Sequence, residues 1–281
     1  MSPVFLIDIS SYLHRAMHVI HGKLASEADP SDISFTVHAA NMLANTMFRL
    51  HIERMAVVFD STEPSARCQV YPQYKADRKP HTPVFAAQMP RFMAALADVG
   101  VSVFEEPTFE ADDIIATLVG DERVPYSIVS HDKDLLALVD DASEVAVYNP
   151  TSDKWHRMDD IFSKLGVFPW QLHDYMGLVG DTSDGIPGVP GIGAKTASAL
   201  VVKYETLERI YSAECRELVE DDLSKKQFSS LIESEEVAFL SRSLAKPIIC
   251  PELIMVGHGP LSAPSPDRIR TAVQDYERRN R

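Results

Sequence analysis

Cysteine is scarce. The 281 residues contain three, Cys68, Cys215 and Cys250, an odd number with no metal-ligand spacing. That excludes a disulfide scaffold and fits a reduced, cytoplasmic setting. Long apolar runs are missing too. No stretch approaches the roughly 18 residues of a membrane-spanning helix. Met1-Ser2-Pro3 leads straight into an apolar segment with no basic leader, so no signal peptide is visible. A soluble globular chain with no membrane partner is expected, and a monomer. No repeat or low-complexity tract occurs. Positive charge is in the minority: 27 Lys and Arg stand against 41 Asp and Glu, a formal charge of −14. Such a chain does not coat nucleic acid non-specifically, but it can be a nucleic-acid enzyme whose acids gather at a metal site. No histidine arrangement suggests zinc. His14, His18 and His131 read as surface or packing residues.

What is present is carboxylate, closely spaced. In Thr108-Phe109-Glu110-Ala111-Asp112-Asp113-Ile114-Ile115, three acids fall within four residues, ahead of an apolar helical pattern. Glu110 and Asp113 share a helical face. Acids commonly sit in first helical turns, where the helix dipole favours them by about 0.3–1 kcal/mol each. Three so close repel one another unless a cation binds between them, and a hard divalent cation with oxygen ligands is the natural one.

Apolar segments alternate with helical patterns. Val4–Asp8, Met55–Asp60, Val101–Glu105 and Tyr126–Ser130 read as buried strands, and Glu144–Tyr148 as a fifth. Helices are expected at about 10–20, 35–50, 86–99, from Glu110, 159–165, 170–178 and 194–204. The pattern predicts an α/β fold, a parallel-type central sheet flanked by helices. Ligands then bind beyond the carboxyl ends of the strands. Asp8 and Asp60 end strands. Asp132 and Asp134 lie just past one, and the Glu110 group past another. One strand-end aspartate is ordinarily a helix N-cap; four such positions on one edge are harder to dismiss. A boundary is expected near residue 165: a core over 1–165 with an excursion at about 61–85, a helical subdomain over 166–245, and a C-terminal segment over 246–281 packing back on the core.

A group of about eight carboxylates suggests two divalent cations, roughly 3.5–4 Å apart, as in phosphodiester hydrolysis. Magnesium suits all-oxygen ligands, with manganese expected to substitute. The run Gly188-Val189-Pro190-Gly191-Ile192-Gly193-Ala194-Lys195-Thr196 is neither a dinucleotide loop nor a Walker-type loop: no strand leads into it, and Ala194 separates Gly193 from Lys195. It reads as a tight hairpin with exposed N–H groups before a helix, which can hold a phosphate backbone without reading sequence. Arg67, Tyr71, Tyr74, Lys75, Arg78 and Lys79 form the clearest basic and aromatic cluster. Tyrosines beside cations can stack on bases while the cations hold phosphates. The cluster follows Asp60 and should overhang the acidic edge.

These motifs, in order over residues 5 to 204, resemble the 5′-nuclease (flap endonuclease) family, above all the 5′→3′ exonuclease domain of bacterial DNA polymerase I, here as a stand-alone chain. The matching segments are Val58-Phe59-Asp60, Tyr74-Lys75-Ala76-Asp77-Arg78, Glu110-Ala111-Asp112-Asp113, Asp132-Lys133-Asp134, and Gly180-Asp181-Thr182-Ser183-Asp184 running into the glycine-rich hairpin. The resemblance implies a PIN-like 5′-nuclease core, a helical arch and a helix–three-turn–helix. It implies a two-metal site of Asp8, Asp60, Glu110, Asp112, Asp113, Asp132, Asp134, Asp181 and Asp184. It implies that Lys75 and Arg78 contact the scissile phosphate, that Arg15 is a further basic active-site residue, and that Tyr74 stacks near the cleaved nucleotide. Gly191, Gly193, Lys195 and Thr196 fall in the duplex-gripping hairpin, where a potassium ion is common; Arg67 and Lys79 join the DNA contacts.

Three residues depart from the family pattern: Ile9 and Gly185, where glycine and asparagine are usual, and Asp77, where asparagine is common. They are expected to tune rate or preference. The function expected is magnesium-dependent cleavage of DNA at 5′ flaps and free 5′ ends in replication or repair, with RNA primers paired to DNA as further substrates. Two alternatives stand beside it. One is a non-catalytic flap-binding protein of the same fold. The other is a phosphatase of the haloacid dehalogenase type, whose general acid would fall at Ser10.

Overall fold

The computed structural model describes residues 2–22, 27–120, 125–250, 253, 255–256 and 261–280, the side chains of 255 and 256 excepted. The chain opens with β1 (Val4–Asp8), α1 (Ile9–Ile20), α2 (Ser34–Leu50) and β2 (Met55–Val58). Next come α3 (Arg67–Val70), α4 (Pro83–Asp98), β3 (Ser102–Phe104), α5 (Ala111–Val119) and β4 (Tyr126–Val129). A 3₁₀ turn at Asp134–Leu138 precedes β5 (Ala146–Asn149), β6 (Lys154–His156) and α6 (Met158–Leu165). The rest is helical apart from one short strand: α7 (Leu172–Val179), α8 (Ala194–Tyr204), α9 (Leu207–Ile210), α10 (Arg216–Asp222), α11 (Lys225–Glu233), α12 (Glu235–Ala245), β7 (Met255–Val256) and α13 (Pro266–Arg279).

The sheet order is β6-β5-β4-β1-β2-β3-β7. β1 lies centrally and pairs in parallel with β2 and β4. β3 and β5 extend the parallel part, and β6 and β7 are antiparallel edges. Alternate residues of β1 serve opposite faces. Phe5 and Ile7 join a core with Tyr12, Phe35, Leu43, Phe92 and Ile269, from α1, α2, α4 and α13. Val4 and Leu6 join a second core with Ile114, Leu178, Leu200 and Leu231, so the later helices share the apolar interior of the other face. Burial on both faces is why the strands read as continuous apolar runs.

The expected elements are present within a few residues of their sequence limits. β6 was not foreseen; its turn needs Asp153 at φ +55°. The excursion differs more. A helical arch was expected near 61–85, yet between Ser61 and Thr82 the only helix is the four-residue α3. Pro64, Pro72 and Pro80 interrupt the segment, and each lacks a backbone N–H donor and restricts the residue before it. Of the apolar segment Ile248–Val256, residues 255 and 256 form β7; residues 257–260 lie outside those described.

Candidate active site

Parallel strands bring their carboxyl ends to one edge, and the acids follow. Asp8 closes β1 and caps α1, accepting from the Ser11 amide at 3.3 Å and the Ser130 hydroxyl at 2.5 Å. Asp60 follows β2; its amide donates to Ser10 Oγ at 3.0 Å, and its carboxylate accepts from the Ala111 amide at 2.9 Å. Glu110 is the N-cap residue of α5. Asp132 accepts from the Asp134 amide at 2.9 Å. A cavity of about 140 Å³ is lined by seven of the nine expected acids: Asp8, Asp60, Glu110, Asp112, Asp132, Asp134 and Asp184. Lys75, Arg78 and Tyr74 reach the same cavity from the overhanging excursion.

The carboxylates do not balance one another. Burial, with Asp60 and Asp132 nearby, pushes the Asp8 carboxyl up to about 7. Burial and Asp132 push Asp134 up to about 7 as well. Asp112 is raised by burial and by Asp113 and Glu110. One buried oxygen of Asp134 has no hydrogen-bond partner. Cations of the chain compensate elsewhere. Lys75 Nζ lies 2.5 Å from Glu110 and 3.7 Å from Asp184, and Arg78 pairs with Asp184. Burial raises the Glu110 carboxyl, but Lys75 and Arg67 outweigh it and hold the group below its ordinary value. Lys133 Nζ holds Asp181 at 2.6 Å and, with the Ser183 bonds, lowers its carboxyl against the effect of burial. Among the described residues, no three carboxylate, imidazole or thiol groups converge at ligand distance around one point. The donor set is nonetheless all oxygen, with raised carboxyls and an orphaned buried oxygen. Residues of this kind fit a hard divalent cation.

Two expected site acids stand outside the cavity. Asp181 is held by Lys133, as above. Asp113 is fully buried and accepts four hydrogen bonds: from Arg67 at 2.6 and 2.8 Å, from the Ile248 amide at 2.7 Å and from the Glu110 amide at 3.0 Å. Its acceptor capacity is used within the protein. Arg67, expected to contact DNA, is 2% exposed and also donates to the Leu244 and Lys246 carbonyls. It is a strut between the excursion, α5 and the segment after α12, and not a free phosphate contact. Its neighbours Ser65, Ala66, Cys68 and Gln69 give no sequence sign of burial; only the buried partner reveals it. Tyr74, expected to stack on a base, is 4% exposed. Its hydroxyl donates to Glu110 at 3.1 Å, and its ring packs with Ile186 and Leu244.

The remaining expected residues are exposed, except Thr196, which is half-buried. Arg15 lies on α1 and Lys79 on the excursion; neither lines the cavity. Asp77 is also exposed. Ile9, the first residue of α1, is fully buried in the core. At the hairpin, Gly191 (φ +79°), Gly193 and Lys195 are exposed, and Thr196 accepts from Gln227. Gly180 and Gly188 make the turn possible, since a Cβ on either would meet backbone of the other's segment within 2.8 Å. Sequence reading did not single out Ser130, which orients Asp8, or Lys133, which holds Asp181, and it weighed Ser10 only as a phosphatase position, where the structure has it orient Asp60. Ser10 accepts from the Asp60 amide, and its hydroxyl is far too weak an acid for the general-acid role of a phosphatase.

A fold whose parallel strands deliver carboxylates to one edge, under a basic overhang, defines a phosphodiesterase-type site. Residues 3–166 match the model of the 5′-3′ exonuclease N-terminal resolvase-like domain, and residues 167–250 that of the 5′-3′ exonuclease C-terminal SAM fold. A 5′-3′ exonuclease of Aquifex aeolicus is 32% identical over 213 residues, covering 75% of this chain and 72% of that one. DNA polymerase I of Lactococcus lactis subsp. cremoris is 31% identical over 253 residues, 86% of this chain but 28% of the polymerase. A bacteriophage T5 flap endonuclease, solved with DNA and metal ions, superposes with a TM-score of 0.67 at 17% identity over 98% of both chains, which shows the shared fold. The chain belongs to the 5′-3′ exonuclease family and is a phosphodiesterase acting on DNA.

Proposed function

We propose that the chain is a magnesium-dependent, structure-specific nuclease that cuts DNA at 5′ flaps and free 5′ ends, and RNA primers paired to DNA. One observation carries this reading: uncompensated carboxylates and the cations Lys75 and Arg78 share one cavity beneath the overhang. Asp8, Asp60, Glu110, Asp112, Asp132, Asp134 and Asp184 hold two divalent ions there, with Asp181 at the margin. Bound in that place, magnesium or manganese supplies Lewis acidity toward the scissile phosphate and the attacking water. Lys75 and Arg78 bind the phosphate oxygens and orient the strand, with Arg15 and Lys79 at the approach. The overhang admits a single-stranded 5′ end. Gly191, Gly193, Lys195 and Thr196, at the start of the 11-residue α8, hold the adjoining duplex by its backbone, where amides and a lysine favour phosphate. A potassium ion at this hairpin completes the grip. We divide the chain at about 165 and 245 into nuclease core, helical subdomain and returning C-terminal segment, acting as a monomer. No described helix is long and apolar enough to cross a membrane.

The test is polarity and structure dependence. Strands labelled at the 5′ or the 3′ end are presented as a 5′-flap duplex, a 3′-flap duplex, a blunt duplex and a primer hybrid. Cutting near the 5′-flap junction, with the 3′ flap left intact, is expected. Equal cutting of both flaps, or binding with no cutting, would reject the reading.

A further inference from the structure

The chain's own cations are spread unevenly over the acidic edge. Asp8 and Asp60 accept from hydroxyl and amide donors. Asp181 and Asp184 accept from charged side chains, Lys133 on the first and Lys75 and Arg78 on the second. On Asp181 the two oxygens have different partners. Oδ1 is held inside its own turn, accepting from the Ser183 amide at 2.8 Å and the Ser183 hydroxyl at 2.6 Å. Oδ2 takes its partner from another segment, and Lys133 Nζ fills that place at 2.6 Å. The Asp181 side chain is 6% exposed, whereas that of Lys133 is 61% exposed. A fixed carboxylate thus meets an ammonium on a flexible four-carbon stem that reaches it from the solvent side. Lys133 stands between Asp132 and Asp134 in sequence, so one short segment carries two acids of the edge and the cation that covers a third.

We propose that Lys133 is a resident counter-ion of the acidic edge: its ammonium holds Asp181 until a divalent cation takes over the same oxygen. An ammonium and a hard divalent ion both satisfy a carboxylate by charge, so they compete for Asp181 Oδ2. The lysine is the one that can leave. An ion pair this exposed is weak, and its release disturbs no buried contact. Asp134 is the acid free to join Asp181 around an ion, since one of its buried oxygens has no hydrogen-bond partner. Asp8 and Asp60, held by hydroxyls and amides, present no ammonium to displace among the described residues. Lys133 therefore opposes loading on the Asp134–Asp181 side and leaves the Asp8–Asp60 side alone. The inference rests on the reading of this edge as a site for two cations.

The test needs no DNA and no turnover. Lysine amines of the full chain are acetylated with acetic anhydride in EDTA and in saturating manganese, and mass spectrometry reads each site. Lys203, which pairs with Asp222 at 2.7 and 2.8 Å away from the acidic edge, is the internal control. Lys133 should be labelled about fivefold faster in manganese than in EDTA, the upper end of what an exposed ion pair protects, with Lys203 unchanged. In Asp181→Asn, Lys133 should be labelled in EDTA about fivefold faster than in the wild type. Manganese calorimetry gives the reciprocal readout: Lys133→Met should tighten the weaker binding event about fivefold and leave the tighter one within about twofold. Lys133 labelling that manganese leaves unchanged overturns the proposal, and this result on the wild type decides the matter even if a variant fails to fold. A weaker event that is no tighter in K133M, or that is absent from both chains, overturns it as well. A wild type that takes up no manganese at all defeats the two-cation reading, and the proposal with it; uptake of two ions beside an unmoved Lys133 defeats the proposal alone.

Discussion

Asp113→Asn separates architecture from chemistry. Next to Asp112 in sequence, Asp113 carries the same charge, yet it sits against Arg67 with no exposed surface. Asparagine keeps its size but loses the charge and one acceptor. It leaves a guanidinium that is 2% exposed with only the more distant Glu110, at 3.8 Å, as counter-ion. Breaking a buried pair from one side typically costs about 3–5 kcal/mol. In a chain of this size each kcal/mol lowers Tm by roughly 2–4 °C, so a fall of roughly 6–20 °C is expected. Thermal unfolding in EDTA measures it. Asp134→Asn should behave oppositely. It neutralises a carboxyl already raised to about 7 by burial and Asp132, so metal-free stability should hold or rise at pH 8, while magnesium binding by calorimetry weakens. If Asp113→Asn matched the wild type in Tm and lost magnesium as Asp134→Asn does, the strut assignment would be wrong.

Asp8 and Asp134 also set a pH dependence. Their folded carboxyls titrate near 7, above the ordinary 3.8, so the folded state holds protons that the unfolded chain releases. Metal-free stability should therefore fall as pH rises from about 4 to 7, by up to roughly 4 kcal/mol for Asp8 alone, and level off above 7. Magnesium added at pH 8 should restore it, and denaturant unfolding across pH with and without the ion reads this directly. Lys75→Ala removes the ammonium from Glu110 and Asp184. It should tighten magnesium binding in calorimetry while lowering kcat, and unchanged magnesium affinity would show that the two do not compete. Lys195→Ala should raise KM and reduce the slope of log affinity against log salt by about 1, since one phosphate contact is lost, with kcat unchanged.

The acidic edge was legible because parallel strands end together, so Asp8, Asp60 and the residues past β3 and β4 had to converge. The hairpin was legible because its glycines and prolines forbid a regular element before Ala194. Burial was not legible. Asp112 and Asp113 are indistinguishable in sequence, and only packing shows that one faces the cavity and the other Arg67. Tyr74 fits a stacking residue by type, but Ile186 and Leu244 cover it. β6 escaped because Lys154-Trp155-His156 is a mostly exposed edge with one apolar member.

The most direct measurement is cleavage of an end-labelled 5′-flap duplex by wild type and Asp134→Asn, each in magnesium and in EDTA. Cutting by the wild type in magnesium alone, with at least a hundredfold loss in the variant despite intact folding, is the outcome predicted for a cation held by that carboxylate. Cutting that persists in EDTA, or that survives unchanged in Asp134→Asn, would contradict the account of the acidic edge.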